Sequence, residues 1–260
     1  MVKPPFNVVL YKTRARSRIK LNILGEEISA EFNIRDKYAR MADIVPLARK
    51  LSTSISKAVL HRLYLGGETV PCCKGCSACC NYLVPLSVPE AFRLKEEILL
   101  IRGSGGGGNQ IFEKCVTNSG SILAGIKNGF PVGGLESNYG SLGISCPFLI
   151  DGICAFYSKR PTACREYIVT GSAGFCDGGV EGPKVADMPV SVLECLGELA
   201  SELEGSDLEA VILPFMFAWA DDNKERDEQR WPAEMMVEKF VEILEAKACE
   251  CLVESVCLSV

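Results

Sequence analysis

Two stretches decide how this chain is read. The first is Cys72-Cys73-Lys74-Gly75-Cys76-Ser77-Ala78-Cys79-Cys80. The second runs Cys146-Pro147-Phe148-Leu149-Ile150-Asp151-Gly152-Ile153-Cys154, then Arg160-Pro161-Thr162-Ala163-Cys164-Arg165, and ends at Cys176. A two-residue gap lets successive thiolates turn back onto one ion while the amides between them point at the sulfurs, which is why Cys-x-x-Cys recurs in zinc knuckles and iron–sulfur loops. One such pair is weak; three thiolates at that spacing with a fourth adjacent, plus a second group with turn residues between its members, is a strong signal. A zinc ion or an iron–sulfur cluster takes about four protein ligands, and the two groups together hold more thiols than that. The excess points to two metal centres, or to one polynuclear centre with bridging thiolates. Adjacent Cys79 and Cys80 strain the backbone if they bind one ion, which assigns them to different metals. Cys146-Pro147 also parallels the remote Cys-Pro of bacterial iron–sulfur loops. The candidate ligands are Cys73, Cys76, Cys79, Cys80, Cys146, Cys154, Cys164 and Cys176; zinc, iron and a 4Fe–4S cluster all stay open, and Cys72 is ambiguous. Lys74, Arg160 and Arg165 lie within or beside the ligand runs, where they would offset thiolate charge or serve as ordinary surface ion pairs.

The whole chain has 260 residues, 14 of them cysteine against a single histidine, His61. Such density means either a disulfide framework or metal ligation in a reducing compartment. Met1–Phe6 leads into a polar stretch with no apolar signal-peptide core, and disulfide-dense scaffolds are usually much shorter, so ligation in the cytoplasm is the expectation. Hydrophobic residues make up 48% and charged residues 23%, enough for a core. A net charge of −5 gives no long-range field toward nucleic acid or anionic lipid. The longest apolar run, 210–220, contains Pro214 and falls short of the ~20 residues a spanning helix needs, so no membrane is expected as a partner.

Outward from the cysteines, the pattern predicts an α+β protein with an N-terminal β-hairpin, an irregular cysteine-rich metal core and a helical C-terminal part. The boundaries are 1–66, 67–182 and 183–260, within one compact unit. Ile19, Leu21 and Ile23, then Ile28, Ala30, Phe32 and Ile34, alternate with polar residues as the hairpin, and Val8–Tyr11 offers a further strand. Helix follows from Asp36, with Pro46 breaking it into two pieces. Ser87-Val88-Pro89-Glu90 is a capping box opening a helix through Leu100, and Ser191-Val192-Leu193-Glu194 opens another. Gly103–Asn109 reads as a flexible linker, and 125–143 as turn-rich chain. A last helix starts near Pro232 with Met236, Val237, Phe240, Leu244, Ala248 and Cys251 on one face. Cys195 and Cys251 fall on apolar stripes and read as core.

At Cys73-x-x-Cys76-x-x-Cys79-Cys80 and Cys146-Pro147-Phe148-Leu149…Gly152-x-Cys154-x-x-Tyr157-x-x-Arg160-Pro161-x-x-Cys164-Arg165, the sequence resembles the YkgJ-type cysteine-cluster family, described as a zinc- or iron-chelating domain. Pro85-Leu86-Ser87 and Glu90-Ala91 resemble that family's helix start after the first cluster. The resemblance spans about residues 70–176 and implies metal chelation. Flagellin lysine-N-methylase carries a related cluster, which adds modification of a protein side chain to the alternatives, although no glycine-rich nucleotide motif accompanies it here.

Three functions follow as expectations. The first is a metal- or cluster-binding protein whose thiolates fix the fold and move electrons or metal. The second is an enzyme that activates a substrate at the metal, with Glu166, Tyr167 and Asp151 as candidate acids or bases. The third is a structural zinc module that presents Phe215, Phe217 and Trp219 to a protein partner. His61, in Leu60-His61-Arg62-Leu63, reads as a packed or partly exposed residue outside any catalytic role.

Overall fold

The apolar alternation of Ile19, Leu21 and Ile23 with Ile28 and Ala30 puts all five side chains on one buried face of an antiparallel sheet. The computed structural model describes residues 7–12, 17–24, 26–32, 36–103, 107–131, 139–177 and 182–257. Its sheet has the order β1 (Asn7–Lys12), β2 (Ser17–Ile23), β3 (Glu26–Phe32), with Leu21 opposite Ile28 and Ile19 opposite Ala30. Ile34 and the side chains of Phe32 and Cys251 lie outside the described residues.

A short strand β4 (Tyr38–Ala39) and one 3-10 turn lead into α1 (Val45–Leu65). Pro46 does not break this helix. It occupies the first turn, where its missing N–H has no helical partner to lose and its fixed φ suits the start. Ile44, Leu47, Leu51 and Ile55 of this region pack on the sheet, joined by α5 (Val192–Glu204) and, beyond the short helices α6 (Met216–Asp222) and α7 (Lys224–Glu228), by α8 (Ala233–Cys257), through Cys195, Leu196, Leu199, Met236, Phe240 and Leu244. One hydrophobic cluster therefore draws on both ends of the chain. Ser191 caps α5 by accepting the Glu194 N–H at 3.2 Å, and Gly205 closes it at φ 63°.

Between those ends lies the layer that carries the cysteines. Strand β5 (Pro85–Ser87) pairs with a short strand over Ala210–Ile212, and α2 (Val88–Gly103) follows directly from β5. A helix absent from the sequence-based expectation, α3 (Gly108–Lys127), packs against α2 and buries Ile111, Cys115, Asn118 and Ile122 along one stripe. Leu86, Leu94, Ile98, Ile111, Phe148, Phe156 and Phe217 form its core. Phe92 and Trp219 bridge the layers with ring centroids 5.0 Å apart, and the Trp219 indole donates to Glu209 at 2.7 Å. Phe217 is buried, so these aromatics are chiefly core. His61 sits on the exposed surface, bonded to Glu26. Among the described residues no helix is long and apolar enough to cross a membrane.

The end of the glycine-rich run is tight packing and no mere spacer. A Cβ on Gly108 would stand 2.6 Å from the Arg102 nitrogen and 2.8 Å from the Ile98 carbonyl oxygen, both backbone atoms. Gly108→Ala is expected to lower stability by about 1–3 kcal/mol through that overlap. Gly120→Ala, on the same helix with nothing within 4 Å, is expected to raise it by up to about 1 kcal/mol. Urea unfolding of the pair checks both signs.

Candidate metal centre

The first cysteine segment is an irregular chain shaped by two turns. The Cys76 N–H donates to the Cys73 carbonyl at 3.1 Å, and Gly75 at φ 101° supplies the left-handed position this turn requires. Cys79 and Cys80 follow on a single 3-10 turn over Ala78–Asn81. Its flank lies along the second segment. Gly171 N–H donates to the Thr69 carbonyl at 2.8 Å, Val169 N–H donates to the Cys72 sulfur at 3.3 Å, and the Tyr82 hydroxyl donates to the Cys176 carbonyl at 2.8 Å. Tyr82 and Tyr167 meet edge to face at 5.8 Å.

The spacing of Cys146 and Cys154 has a local cause. Strands β6 (Leu149–Ile150) and β7 (Ile153–Cys154) form a hairpin whose turn residues, Asp151 at φ 49° and Gly152 at φ 76°, both take positive φ. The turn folds Cys154 back opposite Leu149, so Cys146 and Cys154 face the same hydrophobic cluster, and Cys80 packs against that cluster too. The Cys146 N–H donates to the Cys80 carbonyl at 2.7 Å, which joins the two segments directly. Helix α3 holds the Cys146 loop from the other side: Lys114 donates to the Leu149 carbonyl at 2.6 Å and Asn118 to the Ser145 carbonyl at 2.6 Å.

Cys164 sits on the short helix α4 (Thr162–Glu166), which a polar girdle fixes in place. Fully buried Glu90 accepts the Thr162 N–H at 2.8 Å and its hydroxyl at 2.7 Å. The expected capping box thus serves a distant segment, with Ser87 donating to Glu90 at 3.3 Å. Glu166 accepts from Ser52, Ser191 and the Val192 N–H, and Arg165 donates to Thr53, the Ser158 carbonyl and the Arg160 carbonyl. These roles hold structure together, and Asp151 is an exposed turn residue.

The thiols influence one another across the segments. Desolvation, then neighbours Cys146, Cys79 and Cys154, push the Cys164 thiol well above its ordinary value. Burial raises Cys146 to about 12, with Cys154 and Cys115 adding to the shift and Lys114 opposing it. Cys79 is raised by a hydrogen bond with the Cys80 thiol and by desolvation, and Arg160 counters. Arg160 acts the same way on Cys154, and its guanidinium lies 4.0 Å over the Tyr157 ring. Burial raises the Cys72 thiol, the Val169 amide opposes it, and Cys79, Cys76 and Cys73 add smaller upward shifts. Cys73 is exposed, Cys146 and Cys176 are buried, and the remaining candidates are half-buried. Cys115, outside both motifs, shares the buried cluster of Cys146; only its place on the α3 stripe hinted at that.

Among the described residues, no three Cys, His, Asp or Glu side chains stand close enough together to hold one metal ion. The donor set nonetheless suits a soft cation. Thiols that burial raises, as at Cys146 and Cys164, stay protonated on their own, and a bound cation would be what releases their protons. No protein-family model, curated protein or solved structure matches the chain.

Proposed function

We propose that this chain is a metal-binding protein that holds zinc or iron, the latter as ions or an iron–sulfur cluster, through the thiolates of Cys73, Cys76, Cys79, Cys80, Cys146, Cys154 and Cys164, with Cys176 at the edge. The observation that carries the reading is the approach of the two cysteine segments, through the Cys146–Cys80 backbone bond and the shared packing of Cys80, Cys146 and Cys154. Cys72 joins the flank as an acceptor for Val169. Ligation draws the sulfurs closer than they stand and releases the thiol protons, so uptake weakens as pH falls. Arg160 acts on a thiol of each segment, Cys79 and Cys154, and would offset thiolate charge there. Free thiols in this number call for a reducing compartment, which favours the cytoplasm.

The test is anaerobic purification followed by an absorption spectrum and elemental content of one sample. Expected is a metal that co-purifies and is lost in Cys164→Ser. Broad absorbance near ~400 nm with iron would specify a cluster, and colourless protein with zinc a thiolate site. Metal-free protein that takes up neither zinc nor iron under reducing conditions would overturn the reading.

A further inference from the structure

We infer that Arg49 anchors a buried oxoanion site, using none of the cysteines, that takes phosphate or a like two-oxygen anion where α1 and α2 meet the segment 159–165. Arg49 is 7% exposed, and its Nη1 donates to Glu97 at 2.8 Å. Its Nε and Nη2 are buried and find no acceptor among the described residues. Those two nitrogens share one edge of the planar guanidinium and send their N–H bonds in one direction. That edge is the fork that matches two oxygens of a single carboxylate or phosphate. One missing acceptor therefore accounts for both unpaired donors, and buried donors rarely stay unpaired.

The charges at this junction also lack an anion. Glu97 is shared by Arg49, by Arg93 at 2.9 Å and by Lys159 at 4.0 Å. Arg165, likewise 7% exposed, donates to Thr53, one turn along α1 from Arg49, at 2.7 Å. Its other hydrogen bonds go to the Ser158 and Arg160 carbonyls, so all its acceptors are neutral. Buried Glu90 spends both oxygens on Thr162. Of the two buried guanidiniums, one has a whole edge unpaired and the other bonds only neutral oxygens, and burying charge in that condition is costly. Lys159 and Arg93 are 45% and 28% exposed and carry the positive field from Glu97 out to solvent, where it would draw an anion in. The fork itself is shut off from solvent, so the ion enters only when this junction opens, and binding is expected to be slow.

The full-length chain, dialysed free of phosphate and sulfate, is equilibrated with ³²P-labelled phosphate at fixed ionic strength, and the same samples are followed by ¹H–¹⁵N NMR of the arginine Nε–H groups. Saturable binding of about one phosphate per chain is expected, as a single fork gives. The Arg49 Nε–H resonance should move downfield and exchange more slowly with water. Arg49→Lys keeps a charge for Glu97 but loses the fork, so its affinity is expected to fall about tenfold or more, the scale of one charge-assisted hydrogen bond. An Arg49→Lys chain that binds phosphate as tightly as the wild type overturns the site, because the ion then sits elsewhere. So does an Arg49 resonance that phosphate leaves unmoved, as a resident water on the fork would leave it. That wild-type measurement decides the matter even if Arg49→Lys does not fold. Absence of saturable phosphate binding overturns the site too, and leaves the metal-binding reading intact.

Discussion

Replacing Glu97 by alanine is expected to lower the unfolding free energy by about 3–5 kcal/mol, the scale for stranding a buried charge. Glu97 is 4% exposed and accepts Arg49 at 2.8 Å and Arg93 at 2.9 Å, with the Lys159 ammonium 4.0 Å away. It is the anion that several cations share where α1, α2 and the Arg160-Pro161 loop meet. Without it, Arg49, itself 7% exposed, has no carboxylate, and its Nε and Nη2 already lack partners. The opposite deletion is milder. In Arg49→Met the carboxylate keeps Arg93, and two unpaired donors leave the interior, so the expected cost is about 1–2 kcal/mol. The double variant Arg49→Met/Glu97→Met should recover much of the loss, since apolar side chains of similar volume replace the pair. Urea unfolding of Arg49→Met, Glu97→Met and the double variant measures the cycle; equal costs for the two single deletions would contradict the shared-anion arrangement.

Glu90→Ala is expected to cost about 3 kcal/mol, because two charge-assisted hydrogen bonds to Thr162 vanish and leave its amide buried and unpaired. Glu90→Gln keeps the shape and one acceptor, so about half that loss is expected. Ser87→Ala removes only the 3.3 Å bond and should cost less than 1 kcal/mol. Hydrogen exchange at the Thr162 amide gives a local readout: its protection should fall in Glu90→Ala and survive in Ser87→Ala. Unchanged protection in Glu90→Ala would show that the carboxylate does not hold α4.

Elements with local signals were legible in the sequence. The Ser191 box with its following stripe, and the apolar face from Met236 to Ala248, correspond to α5 and α8 because caps and periodicity act within a few residues. Two local signals are ambiguous by nature: a proline such as Pro46 breaks a helix interior but suits a first turn, and the Ile111–Cys115–Ile122 stripe beside the glycine run is apolar only if cysteine counts as a small hydrophobe. Long-range partners left no trace. Nothing in Ser87–Glu90 announces Thr162, and nothing in Pro85–Ser87 announces pairing with Ala210–Ile212. The same holds at the site. Spacing nominated the thiols, but that Cys146 would bond Cys80, or that Cys115 would lie beside it, depends on how α3 packs.

The cluster shared by Ile19–Ala58 and Val190–Ala248 also sets an order of events during synthesis. The sheet and α1 leave the ribosome with their apolar faces uncovered, and α5 and α8 arrive only after the entire middle of the chain. At roughly 5–20 residues per second that delay is on the order of ten seconds. Every candidate ligand is therefore translated before the frame around it can close. A nascent chain passes through an interval in which its thiols are complete, unprotected and open to oxidants, and, on the proposed metal-binding reading, to metal donors as well.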